Sequence, residues 1–277
     1  MIEKFSIDIP QKDIEFLNKK LATTRWPDEL DNKDWADGTN LEFLKDLCGY
    51  WASDYNWREH EKTLNDIGSY KFFHDDGYVH FLHSKSDNPD ATNLILTHGW
   101  PGSIQEFIKL IKYLKENHNQ KFNIVCPSLP GFGFSSKPKK RGTDSKAIAI
   151  IQNNLMLELG YEKYIAQGGD WGATVSKWMA DLYPDNCIGL HLNLVIAYPP
   201  DSEPMRGVTE QEIKFLDNFE KYKSQGYGYY EIQKTKPQTI GYLLNDSPAG
   251  LAAWISEKFY GWFDDGSKDI VISIDEL

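Results

Sequence analysis

Short apolar runs alternate with longer amphipathic segments through the middle of the chain, and this pattern most restricts its possible folds. Residues 93–97, 123–126 and 164–167 have the composition of buried strands, and a segment with helical spacing of apolar residues follows each. Residues 190–195 would be a fourth strand. Strands that alternate with helices at this spacing form a parallel sheet with helices on both faces. The sequence therefore predicts an α/β fold.

The regions that flank this alternation have other patterns. Residues 1–68 are rich in Trp, Asp and Lys and contain two segments with helical spacing. Asp76-Gly77 separates two extended segments, which predicts a β-hairpin. After residue 197 the alternation stops, and a tyrosine-rich segment with helical character follows. The predicted organisation is an N-terminal extension, an α/β core, a helical cap and a short final segment, at residues 1–68, 69–197, 198–263 and 264–277.

Composition excludes several classes of partner. The 41 acidic and 30 basic residues give a net charge of -11, which disfavours nucleic acid and anionic membrane surfaces. No apolar stretch approaches the ~18 residues that suggest a membrane span. Three widely separated cysteines fit neither a disulfide framework nor a metal site. Reduced thiols in a cytoplasmic protein are the simplest interpretation.

The segment Gly168-Gly169-Asp170-Trp171-Gly172 stands between a predicted strand and a predicted helix. Small residues around one functional side chain at such a junction are typical of a nucleophile elbow, whose usual occupant is serine. Here the occupant is Asp170. The alternative is that Asp170 caps the following helix beside a tight glycine turn.

An aspartate at this position favours a particular chemistry. Serine that attacked an alkyl carbon would form an ether, which water does not readily cleave. A carboxylate that attacks the same carbon forms an ester, and water can then attack its carbonyl group. An aspartate elbow therefore suits alkyl electrophiles such as epoxides or alkyl halides.

A second motif, His98-Gly99-Trp100-Pro101-Gly102-Ser103, follows the first buried strand of the alternating region. In folds with a nucleophile elbow, the loop at this place supplies one backbone N–H to an oxyanion hole, and the residue after the nucleophile supplies another. The predicted donors are the amides of Trp100 and Trp171.

With these motifs the sequence resembles the microsomal epoxide hydrolases, including the insect juvenile-hormone epoxide hydrolases. The resemblance covers essentially the whole chain and implies an α/β-hydrolase fold, a small epoxide as substrate and a reaction without metal or other cofactor. The matching segments are 24–27, 55–61 with 64–65, 98–103, 127–135, 167–173, 235–239 and 246–254.

The opening of an epoxide also needs an acid for the departing alkoxide. Family members use two tyrosines, and Gly228-Tyr229-Tyr230 matches the segment that carries the first, which implies Tyr229 as the acid. Composition alone would not select it, because the cap contains seven tyrosines: Tyr198, Tyr222, Tyr227, Tyr229, Tyr230, Tyr242 and Tyr260.

The end of the chain departs from the family pattern. Hydrolysis of the ester needs a general base, usually a histidine held by an acid on a later strand. No histidine follows His191, and the residues after the cap are too few for two further strands with their connections. We therefore expect the sheet to lack its last core strands, with an exposed apolar edge strand that a homodimer could cover. His191 itself is interpreted as a satisfied structural histidine within a strand.

Two other functions fit part of this pattern. A haloalkane dehalogenase shares the aspartate elbow and Trp171, and release of chloride from chloroalkanes would identify it. A catalytically inactive ligand-binding module would bind epoxides without forming a diol. An epoxide hydrolase with an aspartyl-ester intermediate remains the leading hypothesis.

Overall fold

A computed structural model describes residues 1–31, 33–117, 121–197, 201–263 and 272–277 of the chain. The chain divides into two compact units: Met1–Asp8 with Trp57–Tyr198, and Ile9–Asn56 with Pro199–Leu277. The N-terminal extension thus contributes to both units. The predicted boundaries at Tyr198 and at residue 264 lie outside the described residues.

The first unit contains one mixed sheet of seven strands in the order β1-β2-β3-β5-β4-β6-β7. Strands β5, β4, β6 and β7 run parallel to one another, and β1, β2 and β3 are joined to them by antiparallel pairings. This arrangement confirms the predicted α/β fold. The strands are β1 (Ile2–Lys4), β2 (Ser69–His74), β3 (Gly77–Ser84), β4 (Thr92–Thr97), β5 (Phe122–Pro127), β6 (Tyr164–Gly168) and β7 (Cys187–Leu192).

Ten α-helices occur in the described part of the chain, and α3 to α6 belong to the unit that contains the sheet. A short 3-10 turn, Ile104–Phe107, leads into α4. The helices are α1 (Gln11–Ala22), α2 (Leu41–Ser53), α3 (Trp57–Ile67), α4 (Ile108–Asn117), α5 (Ser145–Glu158), α6 (Trp171–Leu182), α7 (Glu210–Gly226), α8 (Gly228–Thr235), α9 (Pro237–Asp246) and α10 (Pro248–Trp262).

The predicted hairpin is formed by β2 and β3. His74 pairs with Gly77, and Gly77 has φ of 140°, a value that residues with a Cβ rarely adopt. The strand β1 was not predicted. It contains only three residues and is defined by its pairing with β2, for example Ile2 with Phe72.

Successive residues of the central strands face opposite sides of the sheet, as the period of a strand requires. Ile95 of β4 and Ala166 of β6 are buried in one core cluster with Met156 of α5 and Met179 of α6. The neighbours of Ile95, Leu94 and Leu96, instead line a cavity together with residues of the 3-10 turn and α4. The helices that follow β4 and β6 thus lie on different faces of the sheet.

The strand β7 lies at the edge of the described sheet and pairs with β6 alone. Its apolar residues Ile188 and Leu190 are 58% and 42% exposed. These values confirm the expected exposed apolar edge. The strand begins and ends about three residues earlier than the predicted run 190–195.

The second unit joins the N-terminal helices to the cap. Leu21 of α1, Leu44 and Leu47 of α2 and Ala249 of α10 are buried in one cluster. Thr39 donates a hydrogen bond of 2.7 Å to the carbonyl oxygen of Ala253. A helical cap was predicted, but its shared core with helices from the extension was not.

The three cysteines are buried and free, in agreement with the expectation of reduced thiols. None of the helices that the structure describes is both long and apolar enough to cross a membrane. Within the same described ranges, no group of three or more His, Cys, Asp or Glu residues could hold a metal ion.

Candidate active site

Asp170 lies at the turn between β6 and α6, where the sequence predicts a nucleophile elbow. Its backbone has φ of 51° and ψ of -125°, a conformation that residues with a Cβ rarely adopt. The side chain makes no capping hydrogen bond to α6. The helix-cap interpretation is therefore wrong, and the carboxylate serves another contact.

Glycines on both sides of Asp170 make this turn possible. A Cβ at Gly168 would overlap the carbonyl oxygen of Gly172, and a Cβ at Gly172 would overlap the carbonyl oxygens of Thr97 and His98. Because all of these obstacles are backbone atoms, a side chain at either position could not be accommodated by a rotamer change. The elbow thus depends on close approach of backbone segments.

The amide of Trp100 donates a hydrogen bond of 2.8 Å to Oδ1 of Asp170. Sheet register brings the two residues together, since Thr97 at the end of β4 pairs with Gly168 at the end of β6. The predicted approach of Asp170 to Trp100 is thus confirmed. Trp171 begins α6, and its side chain is 51% exposed; its amide as a second oxyanion donor stays a prediction.

His98 fixes the start of the loop that carries Trp100. Its buried ring accepts a hydrogen bond of 3.1 Å at Nε2 from the amide of Leu129, so Nδ1 carries the proton and donates to the carbonyl oxygen of Gly99 at 3.0 Å. Burial lowers the pKa of His98. Both nitrogens of a neutral ring are therefore engaged, and His98 is a structural residue rather than a base.

Glu106 is a further charged group at this site, and sequence reasoning did not identify it. Burial, followed by the negative charge of Asp170, raises the pKa of the Glu106 carboxyl to about 7, although an interaction with the amide of Gly99 lowers it in part. The residue as a whole keeps much of its surface exposed. Oε1 of Glu106 lies against Gly102, at the end of the loop that carries Trp100.

A cavity of about 470 Å³ lies on the sheet face that bears α4. His191 lies within β7, as expected, lines this cavity and is exposed. Its exposure follows from the position of β7 at the sheet edge, and its structural role stays a prediction. The cavity is lined by Leu94, Leu96, Glu106, Phe107, Leu110, Gln167, His191 and Asn193.

Two histidines of β3 have structural hydrogen-bond partners. His80 is fully buried between the hydroxyls of Ser69 and Ser128, at 2.7 and 3.0 Å. His83 contacts the hydroxyl of Tyr161 at 2.8 Å. Burial lowers the pKa of each to about 4.

Tyr229 belongs to α8 in the second unit and is partly buried. The Nζ atom of Lys258, a residue that is only 3% exposed, lies 4.3 Å from the centroid of the Tyr229 ring. Trp262 contacts the ring edge-on, with 5.5 Å between centroids. These contacts fix the orientation of the ring, while the predicted position of Tyr229 above Asp170 stays a prediction.

Two family models match the chain. The model for the epoxide hydrolase N terminus matches residues 2–107, and the model for the alpha/beta hydrolase fold matches residues 92–225. Together they include the extension, the loop with Trp100 and the elbow with Asp170.

Individual epoxide hydrolases are also similar to this chain in sequence or in structure. A putative epoxide hydrolase from Stigmatella aurantiaca (strain DW4/3-1) is 42% identical over all of this chain, which spans 64% of that protein's length. Epoxide hydrolase 1 from Sus scrofa is 34% identical, and the chain spans 67% of its length. The crystal structure of juvenile hormone epoxide hydrolase from the silkworm Bombyx mori superposes with a TM-score of 0.90 at 32% identity, with 100% of this chain and 71% of that chain covered. The chain belongs to the epoxide hydrolase family.

Proposed function

We propose that this chain carries the nucleophile of an epoxide hydrolase, which converts epoxides to vicinal diols through an ester of Asp170. The observation that carries this proposal is the hydrogen bond from the Trp100 amide to Asp170. The backbone of Asp170 is strained, and its side chain makes no capping hydrogen bond to α6. The arrangement supplies a carboxylate nucleophile beside a preorganised N–H donor. Membership of the epoxide hydrolase family supports epoxides as the class of substrate.

The proposed reaction has two steps. In the first, an oxygen of Asp170 attacks a carbon of the epoxide, the C–O bond of the ring breaks, and the departing oxygen takes a proton from Tyr229. In the second, water attacks the carbonyl carbon of the ester and gives its proton to a general base. The N–H groups of Trp100 and Trp171 stabilise the resulting oxyanion. When it collapses, the C–O bond to the alcohol breaks, the alcohol oxygen takes the proton held by the base, and the proton of the new carboxylic acid returns to the tyrosinate of Tyr229. The diol is released, and Asp170 and Tyr229 regain their initial forms.

The first step is tested by the formation of a covalent adduct. After incubation with a small aryl epoxide, we expect intact mass spectrometry to show a gain of one substrate mass, and peptide mapping to place it on Asp170. Asp170→Asn should form no adduct, because a carboxamide is a poor nucleophile. Asp185→Asn, at an exposed carboxylate, is the matched control and should react like the unaltered protein. An adduct of equal yield in the Asp170 variant would contradict the proposal.

Replacement of the proposed acid should slow alkylation selectively. We expect Tyr229→Phe to lower the rate of ester formation by about 100- to 10,000-fold, the range typical of a lost proton donor. Quenched-flow samples analysed by mass spectrometry give this rate directly. Tyr242→Phe is the control, since Tyr242 is 68% exposed in the same unit. Equal alkylation rates in both variants would assign the acid role to another residue.

We also propose a cytoplasmic enzyme that detoxifies xenobiotic epoxides, since the diol lacks the electrophilic carbon of its substrate. Three free cysteines support a reducing compartment. The exposed apolar residues of β7 favour pairing of two copies as a homodimer. Size-exclusion chromatography with light scattering measures this assembly.

A further inference from the structure

Glu106 lies on the 3-10 turn directly after the loop that carries Trp100. The Gly99 backbone favours the charged form of the Glu106 carboxyl group and lowers its pKa in part. At the other end of the loop, a Cβ on Gly102 would overlap Oε1 of Glu106. The loop from residue 99 to residue 102 therefore folds closely around this carboxyl group.

The opposite side of the same loop faces the nucleophile. A Cβ on Gly99 would overlap both Oδ1 and Cβ of Asp170. Asp170 therefore lies against the Cα atom of Gly99, and the Glu106 carboxyl group interacts with the Gly99 backbone. The next residue is Trp100, whose amide donates to Asp170. Because Gly99 and Trp100 share one peptide unit, a shift at Gly99 would change the direction of the Trp100 N–H.

We propose that Glu106 is a positioning residue for the proposed reaction: its carboxyl group holds the loop so that the Trp100 amide points at Asp170. This inference rests on the proposed function of Asp170, but its structural part can be tested without any reaction. Nothing in the motif itself assigns a role to Glu106, which acts through the loop backbone.

The surroundings of Glu106 make the loop sensitive to pH. The titratable groups that interact with it or line the same cavity are Asp170 from the elbow, Cys126 from β5 and His191 from β7. Burial and Asp170 raise the pKa of Glu106 from 4.5 to about 7. Between these values the folded protein holds a proton that the unfolded chain has released. The contribution of Glu106 to stability is therefore largest at low pH and is lost as the pH rises through about 7.

Two substitutions separate the position of the carboxyl group from its charge. Glu106→Gln keeps an oxygen that can accept from the Gly99 amide, but it cannot ionise. Glu106→Ala removes the group, and Gln105→Ala at the exposed neighbouring position is the control. The alkylation rate of Asp170 by a small aryl epoxide is measured for each. Amide resonances of Gly99 and Trp100 are followed by NMR from pH 5 to pH 9, with no substrate present.

We expect Glu106→Ala to slow alkylation by about 10- to 100-fold, as for other misplaced catalytic groups. Glu106→Gln and Gln105→Ala should stay within about threefold of the rate of the unaltered protein, since neither moves the loop. The two amide resonances should titrate together with a midpoint near pH 7, and Glu106→Gln should abolish this titration. Thermal melts identify any variant that fails to fold.

Amide resonances of Gly99 and Trp100 that do not shift with pH in the unaltered protein would overturn the inference. An alkylation rate in a folded Glu106→Ala variant that equals the control would also overturn it. If no protein is alkylated but the amides titrate as expected, the proposed function fails while the positioning role stands.

Discussion

The variant Gly172→Ala is expected to lose about 3–5 kcal/mol of stability, or to fail to fold, because a methyl group must enter closely packed backbone. The added carbon would overlap the carbonyl oxygens of Thr97 and His98, which belong to the end of β4 and its loop. Relief would require α6 to move away from β4 and would break the approach that forms the elbow. Urea unfolding followed by circular dichroism measures the loss.

The matched control is Gly241→Ala, at a glycine inside α9 with no atom within 4 Å of the added carbon. This substitution should stabilise the protein by about 0.5–1 kcal/mol, since alanine loses less backbone entropy than glycine in a helix. Equal stability of the two variants would show that α6 can shift at little cost.

The variant Gly99→Ala should lose its reactivity. Its new methyl group would overlap Oδ1, Cβ and Cγ of Asp170, all of which are side-chain atoms. Rotation of the carboxylate would move Oδ1 and Cγ away, but Cβ is fixed by the backbone of Asp170, so the loop and the elbow must also move apart. Either movement breaks the hydrogen bond from the Trp100 amide. We expect the alkylation rate to fall by about 100-fold or more, as for displacements of about 1 Å at a reacting centre.

The same adduct assay checks this result, with Gly49→Ala as the control. Gly49 lies in α2 and has open space at its Cβ position. The midpoint of thermal unfolding shows whether the Gly99 variant is folded. A folded Gly99→Ala variant with an unchanged alkylation rate would mean that Asp170 reacts without the geometry described above.

The parts of the fold that local pattern specifies were predictable from the sequence. Asp76-Gly77 predicted the hairpin because a turn between paired strands needs the conformation that Gly77 adopts. The runs at 93–97, 123–126 and 164–167 predicted β4, β5 and β6 because buried parallel strands are apolar on both faces. The three elements at the centre of the site were therefore identified.

Features that depend on distant contacts were not predictable. The strand β1 is too short to have a pattern of its own, and only its pairing with β2 defines it. The end of β7 was misplaced because apolar residues continue past Leu192 to Ile196, so composition does not mark where pairing with β6 stops. The division of the N-terminal extension between two units likewise depends on packing partners far away in the sequence.

The candidate site shows the same contrast. Glycines at fixed offsets identified Asp170 and Trp100, because a close backbone approach leaves a residue-type signature. Glu106 left no such signature, since a glutamate in the first helical turn usually serves only to complement the helix dipole. Its contact with the loop becomes visible only when the three-dimensional path of residues 99–102 is known.

The strand order has a consequence for how this site can change over time. The chain leaves β4 toward one face of the sheet and leaves its neighbour β6 toward the other, as the packing of α4 and α6 shows. Divergent connections at the carboxyl ends of adjacent strands open a crevice between them, whatever side chains they carry. Asp170 and Trp100 meet at this divergence. Exchange of the residue at the elbow would thus alter the chemistry while the crevice stays in place, so new reactivities can evolve here without a new architecture.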